Sequence, residues 1–108
     1  DQSEPEQKRF VFLYEITIDN QSSNSVQLIN RHWIITDGQG KTQEVRGDGV
    51  VGEQPVIEAG NSFRYTSGTL LATEVGSMYG SFGMQKEDGS EFNVPIAAFT
   101  LAKPGTLH

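Results

Sequence analysis

The sequence contains no cysteine, and this absence removes several kinds of chemistry at once. A chain without cysteine can form no disulfide, thiolate nucleophile, cysteine-based zinc site or iron–sulfur cluster. Only two histidines are present, His32 and His108, and neither belongs to an HxH or HExxH spacing. Ser67, in "TSGT", has no recognisable base nearby. We therefore predict a protein that is not an enzyme, with no catalytic residue, no metal-ligand set and no cofactor.

Basic residues are also scarce. Eight Lys and Arg stand against fourteen Asp and Glu, which gives a net charge of −6 and a pI near 4.7. A nucleic-acid groove needs a basic stripe, so nucleic acid is not an expected partner. No apolar run approaches the length that spans a bilayer, and no signal peptide is visible, so a membrane is not an expected partner either. Without cysteine, the cytoplasm is the expected compartment. The acidic surface leaves weak binding of a divalent cation as an open expectation.

Helical periodicity is lacking as well, and alternation takes its place. From residue 10 to residue 18 every second position is apolar, which predicts a half-buried strand with one inward face. The inward residues are Phe10, Phe12, Tyr14, Ile16 and Ile18. A second strand runs over "VQLINRHWIIT", where the apolar positions change parity. The change predicts a bulge near Ile29 to Arg31, or a strand buried on both faces.

Turn residues divide the remaining chain into short pieces. "DGQGK" and "KEDGS" predict hairpin turns, with Asp-Gly supplying positive φ angles in the first, and "TQEV" predicts a short return strand between "DGQGK" and the glycines that follow. Pro95 splits the last strand or places it at a sheet edge. Seven or eight strands at roughly ten-residue spacing predict an all-β, immunoglobulin- or fibronectin type III-like antiparallel β-sandwich with Trp33 buried. An open barrel is the alternative. The predicted domain covers residues 9–102, between polar tails at 1–8 and 103–108.

The string "VRGDGVVGEQP" contains three glycines at the spacing of a dinucleotide-binding turn. That turn needs a helix to follow it, and Pro55 with the β-branched residues after it opposes one. Two interpretations stay open. The backbone N–H groups could form an anion site together with Arg46, which makes Arg46, Gly47, Gly49 and Gly52 the candidate ligand-binding residues. Alternatively, the glycines only supply the positive φ angles of a long loop.

His32 is the one histidine on a predicted strand. It could join Asp37 or Glu44 across the hairpin, in which case a weak surface site for a divalent cation would be conceivable. A lone strand histidine between Arg31 and Trp33 is more often structural, so we predict no metal ligand there.

Three long strings together resemble the ApaG family: "RHWIITDGQGKTQEVRGDGVVGEQP", "AGNSFRYTSGTLLATEVGSMYGSFGM" and "FNVPIAAFTL". The resemblance extends from Arg9 to Leu101, and it implies a fibronectin-like β-sandwich. The glycine signature of the family is matched at Gly47, Gly49 and Gly52. That signature has been discussed as a pyrophosphate-binding loop, so the resemblance makes a phosphate, pyrophosphate or nucleotide the alternative ligand.

The function that the resemblance implies is a binding function. ApaG-like domains inside larger eukaryotic proteins look like protein-binding modules, so a protein partner is expected. The family name is linked to cobalt resistance and magnesium efflux, and a chain without a membrane span could contribute only indirectly. The resemblance also implies a further N-terminal segment before Asp1 that includes a first strand. Without that strand a sheet edge would be exposed, which favours a homo-oligomer.

Overall fold

The computed structural model describes residues 9–102, which form seven strands and no helix. The predicted tails at 1–8 and 103–108, and His108 with them, lie outside the described residues. Nothing in the described part of the chain is a helix that could cross a bilayer. The strands are β1 (Phe10–Asp19), β2 (Val26–Asp37), β3 (Thr42–Asp48), β4 (Val56–Ile57), β5 (Ser62–Leu71), β6 (Val75–Lys86) and β7 (Glu91–Ala102).

The strands form two antiparallel sheets that pack face to face. The smaller sheet contains β1 and β5 alone, and the larger has the order β3-β2-β6-β7 with β4 paired to the start of β2. This arrangement confirms the predicted all-β antiparallel sandwich. Because no backbone pairing joins the two sheets within residues 9–102, the alternative of an open barrel is wrong. The buried apolar residues of the core are Phe12, Val26, Leu28, Trp33, Ile35, Val50, Ile57, Tyr65, Leu71, Met78, Phe82, Met84 and Leu101.

The alternation predicted for the first strand is confirmed. Phe12 is buried, the other four residues of that face are partly buried against the core, and the residues between them are exposed. The pairing with β5 is regular over the whole strand, from Phe10 opposite Leu71 to Asp19 opposite Ser62. A period of two therefore determined which face of β1 meets the core.

The bulge predicted in the second strand is also present. The register between β2 and β6 shifts between Leu28 and Asn30, so Ile29 is the extra residue. The insertion changes the parity of the strand, which lets Leu28 before it and Trp33 after it both face the core. Trp33 is buried, as predicted, and makes edge-to-face contacts with Tyr14 and Phe82 at centroid distances of 5.9 and 6.0 Å.

The first hairpin turn forms where it was predicted, but a different glycine supplies the positive φ. Gly40 has φ 86°, whereas Gly38 is not in the left-handed region. The reason is the side chain of Asp37, whose Oδ1 accepts the N–H groups of Gln39 and Lys41, both at 2.9 Å. This Asx-type bonding closes the turn around Asp37, so the reversal of the chain falls at Gly40. The second hairpin turn also forms where "KEDGS" predicts it, and its positive φ is at Gly89.

Two strands are longer than their sequence signals. The return strand predicted over "TQEV" continues as β3 to Asp48, with Gly47 opposite Arg31 on β2. Likewise, β5 continues through "GTLL" and ends at Leu71. Pro95 lies on β7, which is an edge of the larger sheet, so the edge placement is confirmed.

Candidate functional site

The glycine signature ends in a tight two-residue turn. Val50 N–H donates to the Glu53 carbonyl at 2.8 Å, and Glu53 N–H donates to the Val50 carbonyl at 2.9 Å. The two residues between them, Val51 and Gly52, have φ angles of 41° and 81°. Positive φ at both central positions is the requirement of a type I′ hairpin turn. Gly52 meets it without cost, whereas Val51 is a β-branched residue in a conformation that such residues avoid.

Gly47 serves a different purpose, because it makes room for an arginine. The guanidinium of Arg31 lies flat against Gly47, where a Cβ atom would stand 2.8 Å from Cζ. From this position Arg31 Nη1 donates to the carbonyl oxygens of Asp48 and Gly49, at 3.0 and 2.9 Å. Arg31 thus satisfies two acceptors at the end of β3 and ties the loop to β2.

Gly49 occupies a crowded place under the turn. Its φ is 62°, it is buried, and a Cβ atom there would overlap the Glu53 carbonyl oxygen. Its N–H donates to the Ile29 carbonyl at 2.8 Å, and the Gln54 side chain donates to the same oxygen at 2.8 Å. The bulged residue of β2 therefore holds both legs of the loop, and no side chain larger than hydrogen fits at position 49.

The candidate ligand-binding residues are brought near one another, but most of their donors are already used. The Gly49 amide donates to Ile29 on β2 and the Val50 amide to Glu53, so within residues 9–102 only Val51 and Gly52 of the turn have N–H groups without a backbone acceptor. Arg46 is exposed and donates to Glu44, at 2.9 Å. The arginine that contacts the loop is Arg31, which the sequence motif did not indicate. The anion site stays a prediction.

His32 does join Glu44 across the hairpin, one of the two partners that the sequence suggested. Its Nε2 lies 2.5 Å from Glu44 Oε2, and the same oxygen accepts the Arg46 bond. The hydrogen bond from His32, followed by the positive charge of Arg46, holds the pKa of Glu44 below its usual range. Among the described residues no three His, Asp or Glu side chains are grouped as metal ligands. Because Glu44 is already bonded with His32 and Arg46, the three side chains form a charge network on the surface.

Tyr65 is the one buried side-chain polar group of the described chain that has no hydrogen-bond partner. Burial raises the pKa of its hydroxyl, the neighbouring Tyr14 adds to the rise, and the charge of Arg31 opposes it. The group therefore stays neutral over the physiological pH range and acts as part of the aromatic core.

The smaller sheet presents a different kind of surface. Val11, Leu13 and Leu70 are 66%, 74% and 50% exposed, although all three are large and apolar. Val11 lies directly opposite Leu70, and Leu13 lies opposite Gly68, so the three side chains share the outer face of the β1–β5 pair. Contiguous apolar groups on an outer face mark interaction sites more often than isolated ones do.

This patch adjoins an edge of β1 along which residues 9–102 place no paired strand. Within residues 9–102, β1 is hydrogen-bonded only to β5. Along its other edge a groove of about 310 Å³ separates β1 from β7, lined by residues 11–14 and 99–102. We call this edge, together with Val11, Leu13 and Leu70, the β1 surface. Its signal in the sequence was the presence of Val11 and Leu13 on the face of β1 whose later residues are polar.

The fold defines the class: an immunoglobulin- or fibronectin type III-like antiparallel β-sandwich. The ApaG domain model matches residues 1–86, and the chain belongs to this family. Protein ApaG from Pseudomonas paraeruginosa strain PA7 is 60% identical over 108 residues, which cover 100% of this chain and 86% of the relative. Protein ApaG from Azoarcus sp. strain BH72 is 55% identical over 107 residues, covering 99% and 84%. These names state no activity.

Two solved structures have the same fold. An X-ray structure of a Northeast Structural Genomics Consortium target superimposes with a TM-score of 0.93 at 52% identity, covering 99% of this chain and 81% of the other. The crystal structure of a Bordetella pertussis protein named ApaA has a TM-score of 0.87 at 51% identity, covering 97% and 85%. The family predicted from the three sequence strings is confirmed, and so is its fold.

Proposed function

We propose that this protein is a non-enzymatic binding module that takes an extended segment of a partner protein on the β1 surface. The observation that carries the proposal is the exposure of Val11, Leu13 and Leu70 beside the edge of β1 that pairs with no described strand. Such an edge presents a row of backbone donors and acceptors, and the patch beside it adds apolar area.

Strand addition explains how the two parts of the surface would act together. An incoming strand that pairs with β1 continues the smaller sheet, and its backbone groups supply affinity without regard to sequence. Because side chains alternate across a strand, half of them would lie next to Val11 and Leu13, and the other half would enter the groove towards β7. The preferred partner segment is therefore apolar at alternate positions.

The polar end of β1 limits where such a segment would bind. Beyond Leu13 the outer face carries Glu15, whose carboxylate lies 4.0 Å from the Arg64 side chain. A charged pair favours water over an apolar neighbour, so the apolar contact is confined to the first half of the strand.

We place this binding in the cytoplasm, because a chain without cysteine suits a reducing compartment. Any effect on cobalt resistance or magnesium efflux would then be indirect and would pass through the partner protein.

The test is a matched pair of surface variants. Leu13→Glu places a charge in the patch, whereas Val75→Glu places the same charge at an exposed apolar position of β6 in the other sheet. Proteins captured by the wild type are identified, purified, and titrated against all three forms by calorimetry. We expect Leu13→Glu to weaken binding by about tenfold or more, and Val75→Glu to leave it unchanged. Equal binding by all three forms would refute the proposal, as would turnover of a substrate that depends on a single side chain.

The alternative function is binding of phosphate, pyrophosphate or a nucleotide at the glycine loop. Only a few hydrogen-bond donors remain for such a ligand among the described residues. These are the N–H groups of Val51 and Gly52 and the Arg46 guanidinium, which would have to leave Glu44. Thermal unfolding with increasing pyrophosphate tests it. A saturable rise in Tm that Arg46→Ala abolishes would support this function, and an unchanged Tm in the parent would end it.

A further inference from the structure

We propose that a polar groove on the larger sheet binds a guanidinium group, the side chain of an arginine in a partner protein. The groove has a volume of about 270 Å³ and is lined by residues 29–30 of β2, 83–84 of β6 and 91–93 of β7. These strands belong to the larger sheet, whereas the β1 surface belongs to the smaller one. The inference therefore goes beyond the proposed function and does not depend on it.

The middle of the polar groove is a glycine with an asparagine side chain laid across it. Gly83 is paired with Asn30 on one side and with Asn93 on the other, so the three residues form a row across the sheet. A Cβ atom at Gly83 would overlap the carboxamide oxygen of Asn30. Glycine inside a strand often marks a place where another group approaches the backbone closely. Gly83 therefore leaves the space in which the Asn30 carboxamide lies.

The bulge in β2 explains why Asn30 belongs to this row. Ile29 is the extra residue, and without it Asn30 would have the parity of the buried Leu28. The Ile29 carbonyl accepts the Gly49 N–H and the Gln54 side chain, both at 2.8 Å. The glycine loop thus holds the bulge that directs Asn30 into the polar groove, which gives the loop a supporting role in this site.

The polar side chains of the groove are not engaged by the described part of the chain. Within residues 9–102 neither the carboxamides of Asn30 and Asn93 nor the carboxylate of Glu91 has a hydrogen-bond or ion-pair partner. Glu91 and Asn93 are two residues apart on β7, so their side chains leave the same face of the strand. The groove therefore offers one negative charge and two amide oxygens as acceptors, with no basic residue in its lining.

This set of acceptors favours a cation with several donors. Glu91 would repel a phosphate or a carboxylate and attract a positive group. A guanidinium is planar and carries five N–H donors, so it suits three separate acceptors better than the compact ammonium of a lysine does. The net charge of −6 also favours a basic partner. One charge opposes the ligand, because Lys86 Nζ lies 5.7 Å from the ring centroid of Phe92, a lining residue.

A pair of small probes tests the chemistry of the ligand. Isotope-labelled protein is titrated by NMR with Nα-acetyl-arginine amide, and separately with the citrulline analogue, which has nearly the same shape and no charge. We expect saturable shifts of the side-chain amide signals of Asn30 and Asn93, with a Kd on the order of millimolar for so small a ligand. The citrulline analogue should bind about tenfold more weakly or less. Equal binding of the two probes, or shifts only outside the groove, would overturn the proposal.

Charge-matched variants test the site with the same arginine probe. Glu91→Gln removes the carboxylate of the groove and should raise the Kd about fivefold or more. Glu74→Gln makes the same change in net charge at an exposed position between β5 and β6, and should leave the Kd unchanged. Lys86→Gln removes the opposing charge and should lower the Kd. Equal Kd values for Glu91→Gln and Glu74→Gln would show that the probe responds only to net charge, and the site would be wrong.

Two further variants test the arrangement around the glycine. Gly83→Ala displaces the Asn30 carboxamide and should weaken binding of the arginine probe severalfold. Asn30→Ala removes the same carboxamide without crowding, so it gives the answer even if Gly83→Ala does not fold. Leu13→Glu, on the β1 surface, should leave binding of the probe unchanged. Unchanged binding in Asn30→Ala would overturn the groove as the site, and loss of binding in Leu13→Glu would show that the probe binds at the β1 surface instead.

Discussion

The glycine loop and the β1 surface handle their polar and apolar groups in opposite ways. In the loop, Arg31 donates to two loop carbonyls, Val50 and Glu53 bond each other, and the Gly49 amide and the Gln54 side chain both donate to the Ile29 carbonyl. On the β1 surface, Val11 and Leu13 face solvent beside a strand edge that no described strand pairs. The loop groups bond to one another and to β2, whereas the described residues leave the apolar side chains of the β1 surface exposed.

The difference shows that a conspicuous motif and an interaction surface need not coincide. Three glycines at fixed spacing are easy to find, and here each has a structural reason: room for Arg31, a crowded backbone, and a tight turn. The β1 surface has no motif, only three apolar residues on an outer face where polar residues would cost nothing. An exposed apolar surface is the better guide to binding. Association gains free energy by removing apolar groups from water, and groups that are already buried or hydrogen-bonded have little left to gain.

The largest expected effect is on stability, from a substitution in the glycine loop. Gly49→Ala combines positive φ with overlap against the Glu53 carbonyl, so we expect a loss of about 3 kcal/mol or more in the free energy of unfolding. Gly52→Ala is the matched control, because its φ is also positive but no atom stands near an added Cβ. It should cost about 1 kcal/mol. Urea unfolding measures both, and equal losses would show that crowding at Gly49 is unimportant.

The next largest expected effect is a difference in stability loss between substitutions of Arg31 and Arg46, the two arginines near the loop. Arg31→Ala leaves the carbonyls of Asp48 and Gly49 without their donor, and we expect a loss of about 1–2 kcal/mol. Arg46→Ala removes only an exposed ion pair and should cost less than about 0.5 kcal/mol. Thermal denaturation of the two variants checks the order, and a larger loss for Arg46→Ala would reverse our assignment of the loop arginine.

A substitution on the β1 surface should weaken binding and leave stability nearly unchanged, which is the opposite of a substitution in the glycine loop. Leu13→Glu changes an exposed side chain, so the free energy of unfolding of the monomer should move by less than about 0.5 kcal/mol while partner binding is lost. Arg31→Ala should do the reverse, with lower stability and unchanged binding. Unfolding and calorimetric titration of the same two proteins provide the comparison. Loss of binding in both variants would mean that the two regions are coupled.

The smallest expected effect concerns pH and the network beside the loop. The pKa of Glu44 is lower in the folded protein than its ordinary value of 4.5, so its contribution to stability is present above that value. The contribution is lost as pH falls through the lowered folded pKa. A Glu44→Gln variant should therefore be slightly less stable than the wild type at neutral pH, and the difference should vanish in acid. Tm measured in steps between pH 7 and pH 3 detects this, and a constant difference would contradict it.

Much of the fold was predictable because β1, β2 and the second hairpin carry local signals. Alternation placed Phe12 in the core, and the parity change in β2 predicted a bulge near Ile29 to Arg31, which the structure has at Ile29. The first turn was predicted in place but not in detail, since the Asp37 side chain moved the positive φ to Gly40. Arg31 was missed as the loop arginine, although its parity with Trp33 was a signal that it points inward.

The sequence by itself determined the sheet-forming segments, the inward faces, the family and the positions of the turns, because each depends on residues close together along the chain. Only the tertiary structure decided which arginine holds the glycine loop, which glycine has no room for a Cβ atom, and which strands pair with one another. Those features depend on segments that are distant in the chain, such as Ile29 with Gly49 and β1 with β5. A pattern of residue types records which groups tend to be buried, whereas only packing decides which groups meet.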